Sequence, residues 1–579
     1  MTGDRPVRIA NCSGFFGDRL SAAREMVEGG DVDVLTGDWL AELTMLILHK
    51  QRARNSELGF ASTFITQMEQ VLGTCVDRGI KVVSNAGGLN PAGCADKVRE
   101  VASRIGVDVA VAHVEGDDLM PRIDGLRPQL TNLDTGEPLT ATPLSANAYL
   151  GAWGIAAALD SGADVVICPR VTDASLVVGP AAWWWGWAGD DWDPLAGAVV
   201  AGHIIECGAQ ATGGNYSFFE EIPDLAKPLG FPLAEVDRDG SSVITKHPGT
   251  GGLVSIGTVT AQLLYEIGAP LYLNPDVVAD FGSIRLTDDG PDRVSVRGVR
   301  GLPAPRTTKV SINYEGGCRN RVTFVLTGPQ QHSKAAWAEA ALFDRLGGKA
   351  RFDEVDVRFV EAPSDAASQE ASSGKLHITV KSSDERVVGR AFSSAAIELA
   401  LANYPGFFVS SPPTEAQPFG VYWPALVGND EIHQVVVMAD GRRIPIDPAP
   451  TGSAQGRDSP ERVHAEPLGP AAGEPLGRFF GARSGDKGGN ANVGVWARDA
   501  SGYAWLDRNL TVDALSALIP EAAGLGIHRY ELPNLFALNF VIVGYLGQGV
   551  AASTAFDPQA KGLGEYLRAR VWPPPNPTV

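Results

Sequence analysis

Through its first third the chain repeats one pattern: a short apolar run, a turn with glycine or polar side chains, then a longer stretch of helical character. Val7–Asn11, Val32–Leu35, Lys81–Ser84, Val107–His113 and Val165–Cys168 read as strands. Asp18–Glu28, Leu40–Lys50, Phe64–Asp77 and Pro91–Ile105 read as helices, the last opened by a proline that a first helical turn tolerates. Strands this apolar are buried on both faces, and alternation with helices builds a parallel sheet covered on both sides. The expected fold class is therefore α/β, with a parallel-sheet core domain.

Open sheets of this kind bind ligands beyond the carboxyl ends of their strands. The segments leaving those ends are Asn11–Asp18, Gly37-Asp38, Asn85–Asn90, His113–Asp118 and Pro169–Ser175. They nominate Asn11, Ser13, Asn85, Gly87, Gly88, Asn90 and Arg170 as substrate contacts. Asp173 is nominated as a catalytic group, with an internal ion pair to Arg170 as the alternative. No GxGxxG follows the first strand and no GxxxxGK[ST] occurs, so a dinucleotide or P-loop site is not expected.

The densest chemistry lies in Gly202–Asn215, where an imidazole, a carboxylate, a thiol and an amide precede two glycines. His203 and Glu206 are spaced to share a helix face. They read as an acid/base pair, or as polar groups satisfying a turn; a metal pair completed by His247 is a weaker alternative. Cys207 could serve as a thioester-forming nucleophile or be a small buried hydrophobe. Gln210 and Asn215 join the substrate contacts. His247, in the glycine-rich Lys246–Gly252, is expected to face the same cleft as His203, Glu206 and Asn85. With no HExxH and no CxxC pair, no metal site is expected. Trp183-Trp184-Trp185-Gly186-Trp187 is either core or the wall of an apolar pocket.

At 579 residues the chain is too long for one ordinary domain. From about Arg293 the texture changes. Val294–Val299, Lys309–Asn313, Arg321–Leu326, Val355–Val360 and Leu376–Val380 read as strands around a helix at Ser333–Leu346, an α+β lobe over about residues 290–385. Ser394–Asn403 and Val421–Val427 read as a return to a core domain ending near residue 450. Residues 446–475, rich in Pro, Gly, Ala and Ser, read as a linker. Residues 476–579 form a small α+β domain, with strands at Gly477–Ala482, Ala491–Ala497 and Ala537–Val543 and helices at Val512–Leu518 and Pro558–Arg568.

A net charge of −20 disfavours a nucleic-acid partner. Six scattered cysteines without a disulfide pattern point to reduced thiols and the cytoplasm. No run long enough to span a bilayer and no signal peptide are read, so no membrane partner is expected. A homo-oligomer is expected.

Several strings resemble a known family: Asn11–Arg19, Ser84–Pro91, Pro169–Ser175, Gly202–Asn215, Lys246–Gly252 and Asn274–Val277. The chain is similar, over essentially its whole length, to the acyclic terpene utilisation (AtuA-like) family. Residues 1–450 look like its core domain and residues 476–579 like its ferredoxin-fold domain, with Arg483–Asn492 as the signature. The resemblance implies acyl-CoA chemistry, with CoA entering as part of the substrate and no separate cofactor. A lyase or hydratase acting on a branched or terpenoid acyl-CoA is the expected activity. A Cys207-dependent hydrolase or transferase and a non-catalytic acyl-CoA-binding partner are the alternatives. Arg483, Lys487 and Asn490 lie in a polar, glycine-rich stretch read as a long loop. It is expected to dock on the core-domain site or to cradle the CoA phosphates.

Overall fold

The computed structural model describes residues 5–452 and 463–574. The chain divides into two compact bodies. The first comprises Met1–Asn313, Tyr422–Val550 and Asp557–Val579; the second comprises Tyr314–Val421 and Ala551–Phe556.

The first body is built on a sheet of eleven strands. At its centre Val7–Asn11, Val34–Gly37, Lys81–Ser84, Val165–Ile167 and Val111–Glu115 lie side by side in that order, all parallel. Their side chains alternate between two apolar cores. Ile9, Val34, Val83 and Val166 point into one, and Ala10, Leu35, Val82 and Val165 into the other. Helices such as Ser62–Arg78, Pro91–Ile105 and Ser175–Trp185 cover the two faces. The α/β expectation therefore holds, and parallel pairing brings all five carboxyl ends to one edge.

The sheet continues antiparallel on both flanks. Pro232–Val236, Ser242–Lys246, Arg293–Arg297 and Arg285–Asp288 extend one side, and Val435–Val437 and Arg443–Pro445 the other. Three of these antiparallel pairs, Pro232–Val236 with Ser242–Lys246, Arg285–Asp288 with Arg293–Arg297, and Val435–Val437 with Arg443–Pro445, are joined by short turns, which only antiparallel strands permit. Arg293–Arg297 thus belongs to this sheet and not to the α+β lobe. The tryptophan run closes the helix Ser175–Trp185 as core: the indole N–H groups of Trp185 and Trp187 donate to the carbonyls of Val236 and Arg238.

The second body pairs Glu354–Val360 with Ser373–Ser382, and the latter with the long strand Thr307–Thr327. Helices Gln331–Arg345 and Arg390–Glu398 contribute apolar side chains to one core with that sheet. This is the expected α+β lobe, with corrected bounds. The helix placed at Ser394–Asn403 belongs to it rather than to the core domain. Two separate strands were expected where one runs; Gly317 sits at φ +107° within the continuous strand.

The C-terminal stretch folds as ββαββα, taking the successive helices Ala500–Asn509 and Val512–Leu518 as one helical segment, with sheet order Gly481–Lys487, Asn490–Trp496, Ala537–Ile542, Ile527–Leu532. This is the β-α-β-β-α-β ferredoxin-like arrangement entered at its second strand. The helix Ala500–Asn509 and the strand Ile527–Leu532 escaped the sequence reading. Both carry mixed polar and apolar residues with little periodicity. Residues 446–452 and 463–475 hold little regular structure; residues 453–462 of that stretch lie outside the described residues. Among the described residues no helix is long and apolar enough to cross a membrane.

Candidate functional site

The parallel strands deliver their carboxyl-terminal loops to one place, and side chain–backbone hydrogen bonds tie the loops together. Asn85 accepts from the Trp39 amide at 2.8 Å and donates to the Asp38 carboxylate. The Asp38 amide donates to the Ser13 carbonyl, and the Gly87 amide to the Cys168 carbonyl. Asn11 accepts from the Ser13 amide and donates to the Glu206 carbonyl at 3.2 Å. Gly14 presses on the next residue: a Cβ there would lie 2.6 Å from the Cys207 carbonyl carbon, so only glycine fits. Asn11, Ser13 and Gly14 therefore fix the Glu206-Cys207 backbone to the strand edge.

Around this frame stands a group of enclosed charges. Arg170 donates to the Leu40 carbonyl at 2.8 Å, pairs with Asp173 at 2.9 Å, and lies over the Tyr149 ring at 4.2 Å. Its guanidinium is thus filled by protein groups, which is the ion-pair alternative for Arg170 and Asp173. Burial raises the Asp173 carboxyl and raises Asp38 strongly, with the charge of Asp173 adding to the effect on Asp38; Arg170 opposes both shifts. Glu42, at the start of the helix Glu42–Arg54, behaves oppositely. Burial pushes it up, but the cations Lys309 and Arg170 outweigh burial and hold it below the ordinary carboxylate value. Lys309 lies 3.8 Å from Glu42, above the rings of Tyr149 and Tyr422 at 5.1 and 5.5 Å. The Glu42 and Lys309 side chains keep 28% and 33% of their exposure, so solvent reaches this recess.

His203 ends the helix Trp192–Ile205, and Glu206 follows one turn later. Their spacing places them on one face as expected, with His203 Nδ1 3.4 Å from Glu206 Oε1. The His203 ring packs between Tyr272 and Phe281 at 5.2 and 5.5 Å. Burial, helped by Lys487, pushes its pKa down to about 4, so the imidazole is neutral at pH 7. Glu206 moves the other way: burial, then the charges of Asp173 and Glu266, raise it well above the carboxylate range. Both His203 nitrogens and Glu206 Oε2 are buried without a hydrogen-bond partner among the described residues. Unfilled buried polar atoms are uncommon, and their concentration here marks a place built for something besides stability. Tyr272 stays protonated because burial raises its phenol. Cys207 is pushed well up by burial, away from the thiolate that a nucleophile needs.

The C-terminal domain completes the recess. The stretch read as a long loop is a tight hairpin: Gly481–Lys487 pairs with Asn490–Trp496 across a turn of Gly488-Gly489. The expected docking on the core domain is present within one chain. Asn492 accepts from the Glu266 amide and donates to the Leu264 carbonyl at 3.0 Å. A Cβ on Gly494 would meet the Leu264 side chain at 2.4 Å. Lys487 reaches inward, donating to the Glu266 carbonyl at 2.8 Å and lying 5.9 Å from the Tyr272 ring centre. It is no surface phosphate cradle. Burial and the neighbouring Lys309 cation bring its pKa down to about 8. Arg483 hydrogen-bonds Gln210 and covers the Tyr265 ring at 4.2 Å. Lys561 pairs with Glu266 at 3.4 Å and with Asp486 at 3.6 Å. Burial and the Glu266 charge raise Asp486 to about 7.

The structure thus gathers Asp173, Arg170, His203, Glu206, Cys207, Asn85, Asn11, Gln210, Arg483 and Lys487. It places other nominated residues elsewhere or in purely structural work. His247 hydrogen-bonds the Met26 carbonyl at 2.9 Å and packs on Gly29 and Gly30, behind the sheet's antiparallel flank. It shares no neighbour with His203, which corrects the one-cleft expectation. Asn90 caps the helix Pro91–Ile105 through the Gly93 amide. Gly87 and Gly88 form the tight turn before it, and the Ser13 hydroxyl donates to the Phe15 carbonyl. Asn215, at φ +58°, braces Gln210. Asn490 ties the hairpin to Asp134. Sequence reasoning missed Glu42, Tyr149, Tyr272, Lys309, Tyr422 and Glu266, each a lone polar residue in an otherwise ordinary element. The available signal was Asp38, already flagged at a strand end, with Glu42 four residues on.

Chemically, the recess holds one carboxyl raised well above its ordinary range, one held below it, an imidazole pushed down to about 4, phenols raised by burial, and two amines. That is the equipment of proton transfer. The model of the acyclic terpene utilisation family protein AtuA matches residues 7–438, and that of the AtuA ferredoxin-like domain matches residues 475–571. Comparison with curated proteins finds no match. The first match takes in the parallel sheet and the α+β lobe, the second the docked ββαββα domain, and on this span the chain belongs to the acyclic terpene utilisation family, AtuA.

Proposed function

We propose that this chain is an acid–base enzyme of acyl-CoA catabolism, a hydratase or lyase acting on a branched or terpenoid acyl thioester. One observation carries the reading: two glutamates of one recess are pushed in opposite directions, Glu206 up and Glu42 down. Environments that separate two carboxyl groups assign the acid and the base. In the hydration direction Glu42 takes a proton from water, whose oxygen bonds to the β-carbon of an enoyl thioester. The electron pair of the double bond moves toward the thioester oxygen, which the Tyr272 hydroxyl stabilises. Glu206 then delivers its proton to the α-carbon. The reverse sequence eliminates water. Proton transfer of this kind contributes roughly 10²–10⁴-fold in rate.

The family's name supports an apolar, branched acyl group; CoA is carried by the substrate. The raised Cys207 thiol speaks against acyl transfer through that residue. The test is a panel of branched enoyl-CoA and hydroxyacyl-CoA thioesters, followed by loss or gain of the conjugated thioester absorbance. Glu206→Gln and Glu42→Gln run in parallel. The reading requires turnover of at least one member by the natural chain and loss in both variants. Binding without turnover across the panel would favour a non-catalytic acyl-CoA-binding role.

A further inference from the structure

Two ammonium groups in the recess have more donors than acceptors. Lys309 Nζ makes no hydrogen bond among the described residues; it lies over two phenol rings, with Glu42 at 3.8 Å. Lys487 Nζ makes one, to the Glu266 carbonyl, and has no carboxylate at ion-pair distance among the described residues. The Glu266 side chain is turned instead toward Lys561 at 3.4 Å. An ammonium has three donors, so each group keeps donors that no protein acceptor takes among the described residues. In a chain of net charge −20, carboxylates were available to pair with both amines, yet Glu206, the acid that faces Lys487, is held well above the carboxylate range by burial. Lys309 and Lys487 repel one another, and the single carboxylate beside Lys309 offsets only one of the two charges. The arrangement becomes favourable once an anion enters. Glu42 remains ionised beside Lys309, which suits an anion of single charge.

We propose that the substrate carries a second, free carboxylate besides its thioester, and that Lys309 and Lys487 hold that carboxylate. The enzyme would then act on the monothioester of a dicarboxylic acid. The inference rests on the acid–base reading of the recess and names its substrate class. The groups facing Lys487 are Lys309, Glu266, Glu42, Glu206, His203 and Tyr272. An anion added to this set favours the protonated amine, so binding near pH 8 takes up protons from solution.

The test is calorimetric titration of the full chain with glutaryl-CoA and with its neutral isostere, in which an isopropyl group replaces the carboxylate. A carboxylate gripped by charged donors is expected to bind about tenfold tighter or more than the isostere. Lys309→Met and Lys487→Met should each erase the preference. Titrations near pH 8 in buffers of different ionisation enthalpy should show proton uptake for glutaryl-CoA alone. Equal binding of the two ligands by the natural chain overturns the proposal without needing any variant to fold; so does a preference that survives both substitutions. Glu206→Gln separates the two readings: it should abolish turnover while keeping the ligand preference. A preference kept alongside undiminished turnover sinks the acid–base reading alone.

Discussion

Replacing Lys487 by methionine should make the protein more stable at neutral pH, against the usual direction of a substitution in an enclosed site. The folded pKa is about 8, against 10.5 for an ordinary lysine. That gap corresponds to about 3 kcal/mol of cost to the folded state. The sign follows from proton counting. Between the two values the unfolded chain binds more protons than the folded one, so stability rises with pH across that window. Below about pH 8 the cost is present in full. Methionine keeps the aliphatic stem and removes the charge, but forfeits the hydrogen bond to the Glu266 carbonyl, worth about 1 kcal/mol. A net gain of about 2 kcal/mol is expected at pH 7, shrinking toward zero or slightly below as pH approaches about 10. Urea unfolding of both chains at several pH values, or melting temperatures if unfolding is irreversible, reads the difference directly. A variant less stable at pH 7, or a difference that ignores pH, would refute the reasoning. A site that sacrifices stability for function commonly behaves as predicted here.

Glu206→Gln should lower turnover by roughly 10²-fold or more, yet move stability by less than about 1 kcal/mol, because glutamine is isosteric with the protonated carboxyl already present. Cys207→Ala should leave most activity, and Cys207 should resist iodoacetamide at pH 7 since its thiol is raised; rapid labelling with loss of activity would restore the nucleophile reading. Asn492→Ala should destabilise by about 2–4 kcal/mol, as the Glu266 amide and the Leu264 carbonyl lose their buried partners. Truncation after residue 475 should leave an aggregating core, visible by light scattering, because Trp496, Leu532, Leu535 and Ala537 are part of its main apolar cluster; a soluble, active truncated chain would contradict that.

The parallel sheet was legible because burial on both faces forces uninterrupted apolar strands, and Val7–Asn11 and Lys81–Ser84 fall where the sequence places them. The carboxyl-edge rule then located Asn85, Arg170 and Asp173 without further information. The His203–Glu206 relation followed from helical spacing alone. Lys309 was hidden for the opposite reason. It alternates with Val310 and Ile312, which face the core, and alternation reads as a solvent-facing strand position. Its neighbours Glu42, Tyr149 and Tyr422 are all distant in sequence, so nothing local marks it. Tyr272 and Tyr422 were hidden likewise, since their partners are distant in sequence. The hairpin at Lys487 was misread as a loop because its strands carry polar residues that bond to the core domain, and polar density resembles loop composition. His247 was overvalued because glycine neighbours suggest a binding loop, whereas here they serve close packing at a strand end.

The central claim is that Glu206 is a neutral carboxyl at pH 7 while Glu42 is ionised. Infrared difference spectra between the natural chain and each glutamine variant, recorded at pH 7, test it with no substrate required. Glu206→Gln should remove a protonated-carboxyl band, and Glu42→Gln should remove only carboxylate bands. A Glu206→Gln spectrum that loses carboxylate intensity and no protonated carboxyl would contradict the account.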